Sequence, residues 1–286
     1  MNNFKYNGAL ADITQNMRDT IRQRTMLLSP DGRTILDLLS LFFDGASFEL
    51  LQELSRKPEY ELMDLLDTLM DKQLICEKST PEGVCFQFTH QKILEYVYSE
   101  LSMTKRRVFH ERVAACLEQK LTGTGRDFPV YHRLMYHFER AKNQKKYLKY
   151  CIKYVYTLLN RAHEYYPVVS EGPWIGAAGR LSPDSEDNSG ISGLLQRIEE
   201  LVKANEGSFD QQDRQDYLSD YYHMMGRYYI RVADYDRGLA YIQKLVEFNQ
   251  PIDSEQCRKN LIKANRQKIC VYMNRYEPEP MRELVQ

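Results

Sequence analysis

Apolar residues recur every three or four positions along almost the whole of this chain, and outside one Gly-, Pro- and Ser-rich connection only one short stretch abandons that period. The pattern confines the chain to packed amphipathic helices, because a helix buries one stripe and leaves its opposite face to water. In SPDGRTILDLLSLFF, Ser29 is placed to cap a helix and Pro30 takes its first position, where a missing N–H costs nothing. Ile35, Leu38, Leu39 and Phe42 form the buried stripe. Upstream, Asp12 is placed as a cap, with Gln15 three residues on, and Ile13, Met17 and Ile21 share a face. Ser47 opens a short second helix, SFELLQEL. Pro58 opens a third, in which Leu62, Leu65, Leu66 and Leu69 point inward.

The exception lies between Leu74 and Phe88. LICEK and VCFQF flank turn residues STPEG, and Val84, Phe86 and Phe88 alternate with Cys85 and Gln87, which predicts two strands joined as a hairpin. Three helices and then a hairpin is the order of a winged helix, expected over 29–103, with 1–28 a linker helix. Phe88 is expected to precede a Thr89 cap and to staple onto Ile93. Ile93, Leu94, Val97, Tyr98 and Leu101 then make one buried stripe, and Phe109, Val113, Cys116 and Leu117 the next. A stretch rich in Gly, Pro and Ser, 165–193, reads as a connection, and a helical face resumes with Ile191, Leu194, Leu195, Ile198 and Leu201.

From Ser219, SDYYHMMGRYYIRVADYDRGLAYIQKLVEFNQ matches the 34-residue tetratricopeptide template. Tyr222 takes the aromatic position, Met225 the leucine position and Gly226 the glycine. Tyr229 follows, and Asp234, Tyr235 and Asp236 form the turn. A glycine there lets two helices approach closely, and the aromatics fill the wedge between them. Gly238 and Leu245 stand where alanines are usual, and Pro251 falls one residue late. A more degenerate unit starts at Tyr131, with Asn143 and Gln144 as its turn and Tyr147 where alanine is usual. A third pair starts at Ser254. The expected class is therefore mostly α: a winged helix, a helical junction with a degenerate repeat over 104–164, and a tetratricopeptide-like α–α superhelix over 194–286. Repeat arrays end in a polar cap, and none is evident here, so the array reads as truncated at its C-terminus.

The residues that carry chemistry are sparse. His90 and His110 lie 20 residues apart without an HExxH frame, and His132 and His137 are five apart rather than the four that share a helical face. GTGR at Gly123 lacks the frame of a phosphate loop, and no GxSxG occurs. The expectation is no enzyme, no metal and no cofactor site. The six cysteines form no CxxC pair and read as reduced, buried thiols. The N-terminus lacks the apolar core of a signal peptide and no long apolar run occurs, so a cytoplasmic location is expected. A net charge of -1 gives no global pull toward nucleic acid or anionic membrane. In the third helix, Glu59, Glu61, Asp64, Asp67 and Asp71 face a single Lys72, which opposes the phosphate contacts that drive DNA binding. Two basic groups remain as interaction candidates. Lys146, Lys149 and Lys153, with Lys145, share a helical face opposite Leu148, Cys151, Ile152, Val155 and Leu159, and read as a solvated face or a patch for an acidic partner. Lys105, Arg106 and Arg107 form the other, with Arg106 and Arg107 expected to face outward.

LSPDGRTILDLLSLFFDGASFELLQEL, LMDLLDTLMDKQLI and FQFTHQKILEYVYSELSMTKRRVFHERVAACLE together resemble the region that follows the nucleotide-binding module in STAND signal-transduction ATPases. The likeness is to bacterial transcription regulators related to the maltose-regulon activator and to SARP-type activators. Phe86, Phe88, His90, Tyr98, Leu101, Arg106, Arg107 and, one residue early, His110 carry it. It covers about Asp12 to Leu121 and, more loosely, the repeats. It implies a winged helix that packs on an ATPase and a repeat arm that senses an inducer. The phosphate loop, the acidic magnesium motif and a separate DNA-binding domain are all missing, so ATP is expected only on an upstream module outside this sequence. The implied role is non-catalytic signal sensing and protein interaction within a STAND-type transcription regulator. The partners would be that module or another protein, with a small-molecule or peptide inducer on the repeats. The rival is a free-standing winged-helix DNA-binding regulator that uses the wing and Lys105, Arg106 and Arg107.

Overall fold

A computed structural model describes residues 15–80, 83–160, 186–205, 207 and 209–284. Among them are thirteen α-helices and one three-stranded sheet. They gather into two compact units: residues up to Leu121 with His137–Asn143, and Thr122–Tyr136 with the residues from Gln144 onward.

The first unit holds α1 (Gln15–Met26), α2 (Pro30–Leu39), β1 (Ala46–Ser47), α3 (Phe48–Ser55), α4 (Glu59–Asp71), β2 (Ile75–Thr80), β3 (Gly83–Phe88), α5 (Gln91–Glu100) and α6 (Met103–Gln119). The Ser29 hydroxyl accepts from the Gly32 N–H and Pro30 opens α2, while Ser47 does the same for α3 through Leu50. Each cap satisfies an amide that would otherwise lack a partner, worth about 1 kcal/mol. Ile35, Leu38, Leu39 and Phe42 are buried, as are Leu62, Leu66 and Leu69, and Leu36 joins them from outside the expected stripe. On α1, Ile21 is buried and Met17 exposed; Asp12 and Ile13 lie outside the described residues.

The sheet runs β1–β3–β2, antiparallel throughout, with Phe86 opposite both Ala46 and Glu77. The first strand has no sequence signal, being only two residues long. It exists because Gly45, at φ +86°, lets the chain turn against β3, where any Cβ would run into the Phe86 carbonyl oxygen. The alternation expected in β3 fails at its start: Val84 is exposed and Cys85 buried, because β1 and the Asp44 carbonyl cover Cys85. Thr89 also departs from expectation. Its N–H donates to the Leu74 carbonyl at 3.1 Å and its hydroxyl to the Gln73 carbonyl at 2.9 Å. Thr89 is thus still tied to the chain leading into β2, and His90 takes the cap position of α5 without a side-chain bond.

The second unit starts with a 3₁₀ turn (Gly125–Asp127), in which Asp127 accepts from the Thr122 and Gly123 amides. Then come α7 (Phe128–Arg140), whose last four residues belong to the first unit, and α8 (Gln144–Asn160), α9 (Glu186–Asn205), α10 (Gln211–Arg231), α11 (Tyr235–Asn249), α12 (Glu255–Arg275) and α13 (Pro278–Glu283). The ninth helix starts at Glu186, inside the stretch expected as a connection, more than a turn before the apolar period at Ile191. The rest of that connection, 165–185, lies outside the described residues.

Two glycines set the approach of α10 and α11. A Cβ on Gly226 would lie 2.5 Å from Ile242 Cδ1, and one on Gly238 would lie 2.7 Å from Ile230 Cγ1 and 3.1 Å from the Ile230 nitrogen. Gly238, which breaks the alanine usage of the template, is therefore where the facing helix is reached. Ile230, Ile242, Leu245, Ala264 and Val271 fill the core beside this crossing, with Tyr222 and Tyr235 packed against it. At the other end, fully buried Asn249 accepts from Gln215 and Asn260, both at 3.0 Å, and donates to the Leu245 carbonyl at 2.8 Å. That one satisfied amide joins α10, α11 and α12. No helix among the described residues is long and apolar enough to cross a membrane.

Candidate functional site

Along α10, Asp220, His223, Arg227 and Arg231 fall three and four residues apart and so form one polar stripe. His223, Arg227 and Arg231 are buried, at 6%, 7% and 3% exposure. A helix that spends buried positions on charge needs partners for it. Tyr156 of α8 supplies one: its hydroxyl lies 2.6 Å from His223 Nδ1 and 3.4 Å from Asp220 Oδ1. The last turn of α8 supplies another. The Leu159 carbonyl accepts from Arg227 at 3.2 Å and also from Arg231. Both guanidinium groups thus sit where the partial negative charge of a helix C-terminus favours cations. Arg227 also lies 5.9 Å from the centre of the Tyr156 ring.

Burial dominates the electrostatics. It draws His223 down to about 3, helped by the positive charges of Arg227, Lys263 and Arg266. It pushes Tyr156 well above the usual phenol range, with Asp220 adding to the effect. Burial likewise raises Asp220, against the pull of Lys263. At neutral pH the imidazole is uncharged. Its Nε2 lies below the surface without a hydrogen-bond partner among the described residues. The outer parts are reachable: Tyr156, Asp220 and Lys263 are half-buried, and Lys153 and Arg266 are exposed. The cluster is suited to binding. Among the described residues, no group of three or more His, Cys, Asp or Glu is placed to hold a metal ion.

A second buried polar chain lies in the first unit. Tyr98 Oη is 3.1 Å from His110 Nε2, and His110 Nδ1 is 2.8 Å from His137 Nδ1. The two Nδ1 atoms share one proton, so one ring donates and the other accepts. His110 is fully buried, and burial, with Arg140 and Arg106 nearby, draws it down to about 3. The sequence places His110 beside an apolar stripe but gives no sign of its pairing with a residue 27 positions away. An open groove of about 620 Å³ in the same unit is rimmed by Arg24, Glu77 and His90, which bring together no convergent set of like donors.

The basic residues singled out by the sequence are mostly engaged within the chain. Lys105, half-buried, bonds Asp37, itself 2% exposed, at 2.6 Å, and Arg33 bonds the same carboxylate at 3.0 Å. Arg106 does not face outward. Its guanidinium lies 4.7 Å from the Tyr98 ring centre and donates to the Ser99 carbonyl at 2.6 Å, because the aromatic face and the end of α5 offer it partners. Arg107 is exposed and Lys146 half-buried. Lys149 lies 5.3 Å from the Tyr150 ring centre, and Lys153 lies 5.7 Å from it and 6.0 Å from that of Tyr131. Lys145 pairs with Asp213 of α10, an acid that the lysine face itself does not contain. In the repeat pair, Tyr222 meets Phe248 edge-on at 6.1 Å and Tyr229 stacks on Tyr241 at 5.7 Å. Met225 is buried, and Tyr235 lies under the Arg275 guanidinium at 5.4 Å.

No protein-family model matches the sequence, and no curated protein matches it. A STAND protein with a tetratricopeptide-repeat sensor from Pyrococcus horikoshii is similar in structure, at 14% identity and a TM-score of 0.42. The likeness covers 94% of this chain and 41% of that protein's chain, so this chain spans about two fifths of its length.

Proposed function

We propose that this chain is a non-catalytic sensor and protein-interaction region of a STAND-type signal-transduction regulator, its second unit acting as a tetratricopeptide-like ligand-binding arm. The observation that carries this reading is the polar stripe on α10 in which His223, Arg227 and Arg231 are buried. A helix whose only task was packing would fill those positions with apolar side chains. The close crossing at Gly226 and Gly238 supports the repeat reading. In the first unit, the order α2, β1, α3, α4, β2, β3 supports a winged helix used for protein contacts. The exposed face of its α4 carries Glu59, Asp64, Asp67 and Asp71, which repels phosphate. With Lys105 paired to Asp37 and Arg106 bonded to the Ser99 carbonyl, DNA readout has few cations to use.

The test is a thermal-shift screen of the full chain against small metabolites and short peptides. A ligand at a hundred times its Kd should stabilise the chain by about 2.7 kcal/mol, and His223→Phe should lose that response. A chain that answers to no ligand and instead binds duplex DNA with a steep salt dependence would overturn the reading in favour of the DNA-binding rival.

A further inference from the structure

We infer that the α8–α10–α12 face binds a small oxyanion, the carboxylate or phosphate group of a small molecule, through His223 Nε2. The inference rests on the reading of the second unit as a sensor and names the chemistry it senses.

His223 Nδ1 is taken by the Tyr156 hydroxyl at 2.6 Å. Asp220 Oδ1, 3.4 Å away, competes for the single hydroxyl proton, but Nδ1 is much the nearer acceptor; with the proton donated to Nδ1, the ring proton sits on Nε2, which becomes a buried donor without a protein acceptor among the described residues. A buried unpaired polar group is costly, so an acceptor that reaches Nε2 is favoured. Charge then selects the acceptor. Arg227 of α10 and Lys263 and Arg266 of α12 act on the imidazole, Tyr156 of α8 bonds it, Asp216, Lys263 and Lys153 act on neighbouring Asp220, and Arg231 lies farther along α10. Cations outnumber carboxylates in that set, and both arginines on α10 are held by the Leu159 carbonyl. A cationic ligand would meet repulsion and a neutral one would gain nothing from the field. Lys153 and Arg266 are exposed and Lys263 half-buried, so the cations that act on Asp220 and His223 are reachable from solvent.

Binding should also be linked to protons. The unliganded imidazole is neutral because burial and the nearby cations hold its pKa low. An oxyanion at Nε2 stabilises the imidazolium, so the site takes up a proton and tightens as pH falls.

Isothermal titration of the full chain with inorganic phosphate and, separately, with succinate, at ionic strength fixed with chloride, tests this at pH 6 and pH 8. Saturable binding of at least one probe is expected, several-fold tighter at pH 6, and the probe that binds tells phosphate from carboxylate. His223→Phe should weaken it at least tenfold. So should the double variant Lys263→Gln and Arg266→Gln, which spares the buried positions and guards against a folding defect in the first. Neither probe binding at millimolar concentration, or binding that both variants leave intact, overturns the inference. If both probes fail while a neutral metabolite or peptide still gives a thermal shift that His223→Phe abolishes, the oxyanion is wrong and the sensor reading stands. If nothing binds, both fall.

Discussion

Replacing Gly226 by alanine adds a single methyl group at the α10–α11 crossing, and the structure says what it meets. The new Cβ would lie 2.5 Å from Ile242 Cδ1 and 2.7 Å from Ile242 Cγ1, closer than carbon atoms approach. Ile242 is fully buried, so it has no free space to swing into. Overpacking of this kind costs about 1–3 kcal/mol, against which alanine gains roughly 1 kcal/mol over glycine inside a helix. The net expectation is a loss of about 1 kcal/mol. The obstacle can be removed independently. Ile242→Ala alone should cost about 2–5 kcal/mol through its cavity. In that background the added methyl meets open space, and Gly226→Ala should become neutral or stabilising. The two changes should therefore couple favourably by at least about 1 kcal/mol. Because the chain has two units, global unfolding is not a clean readout, and hydrogen exchange of the α10 and α11 amides reports the local stability instead. Equal costs for Gly226→Ala with and without Ile242 would refute the close crossing.

Two of the buried histidines, His110 and His223, make the chain acid-labile. Their folded values near 3 lie below the ordinary 6.5, so the unfolded chain binds more protons and stability falls as pH drops from 6.5 toward 3. Each histidine should cost its own unit about 2 kcal/mol at pH 5; a urea midpoint unchanged between pH 7.5 and pH 5 would count against this. Lys105→Met should destabilise the first unit by about 1–3 kcal/mol, because buried Asp37 loses one of its two cationic partners among the described residues, whereas exposed Arg107→Ala should stay within about 0.5 kcal/mol; equal effects in a denaturation series would contradict the Lys105–Asp37 pair. In a gel shift at 50 mM and 200 mM salt, the chain should bind duplex DNA no more tightly than weak non-specific binders do, and Arg107→Ala should change little.

The parts legible in the sequence are those that one helix states by itself. The Ile35–Leu38–Leu39–Phe42 stripe, the caps Ser29 and Ser47 and the glycine at 226 each follow from spacing within a few residues. The parts that were not legible depend on which elements meet. A two-residue strand such as β1 is defined only by its pairing with Phe86 and Cys85. Lys105 finds Asp37 across 68 residues and His110 finds His137 across 27, and neither partner leaves a periodic mark. The α10 stripe is intermediate. Its spacing is visible once sought, but a polar stripe on an isolated helix reads as its solvated face. Only the packing of α8 and α12 turns it into a partly buried cluster, so the sequence alone points to the lysines, of which Lys149 and Lys153 lean on tyrosine rings.

The central claim, that α10 carries a binding face, is most directly tested by hydrogen exchange of the full chain with and without a ligand found in the thermal-shift screen. Protection concentrated in the C-terminal half of α8, along α10 from Asp220 to Arg231, and around Lys263 and Arg266 of α12 is the predicted result. A ligand that binds yet leaves those amides unchanged, or protects only the first unit, would contradict it.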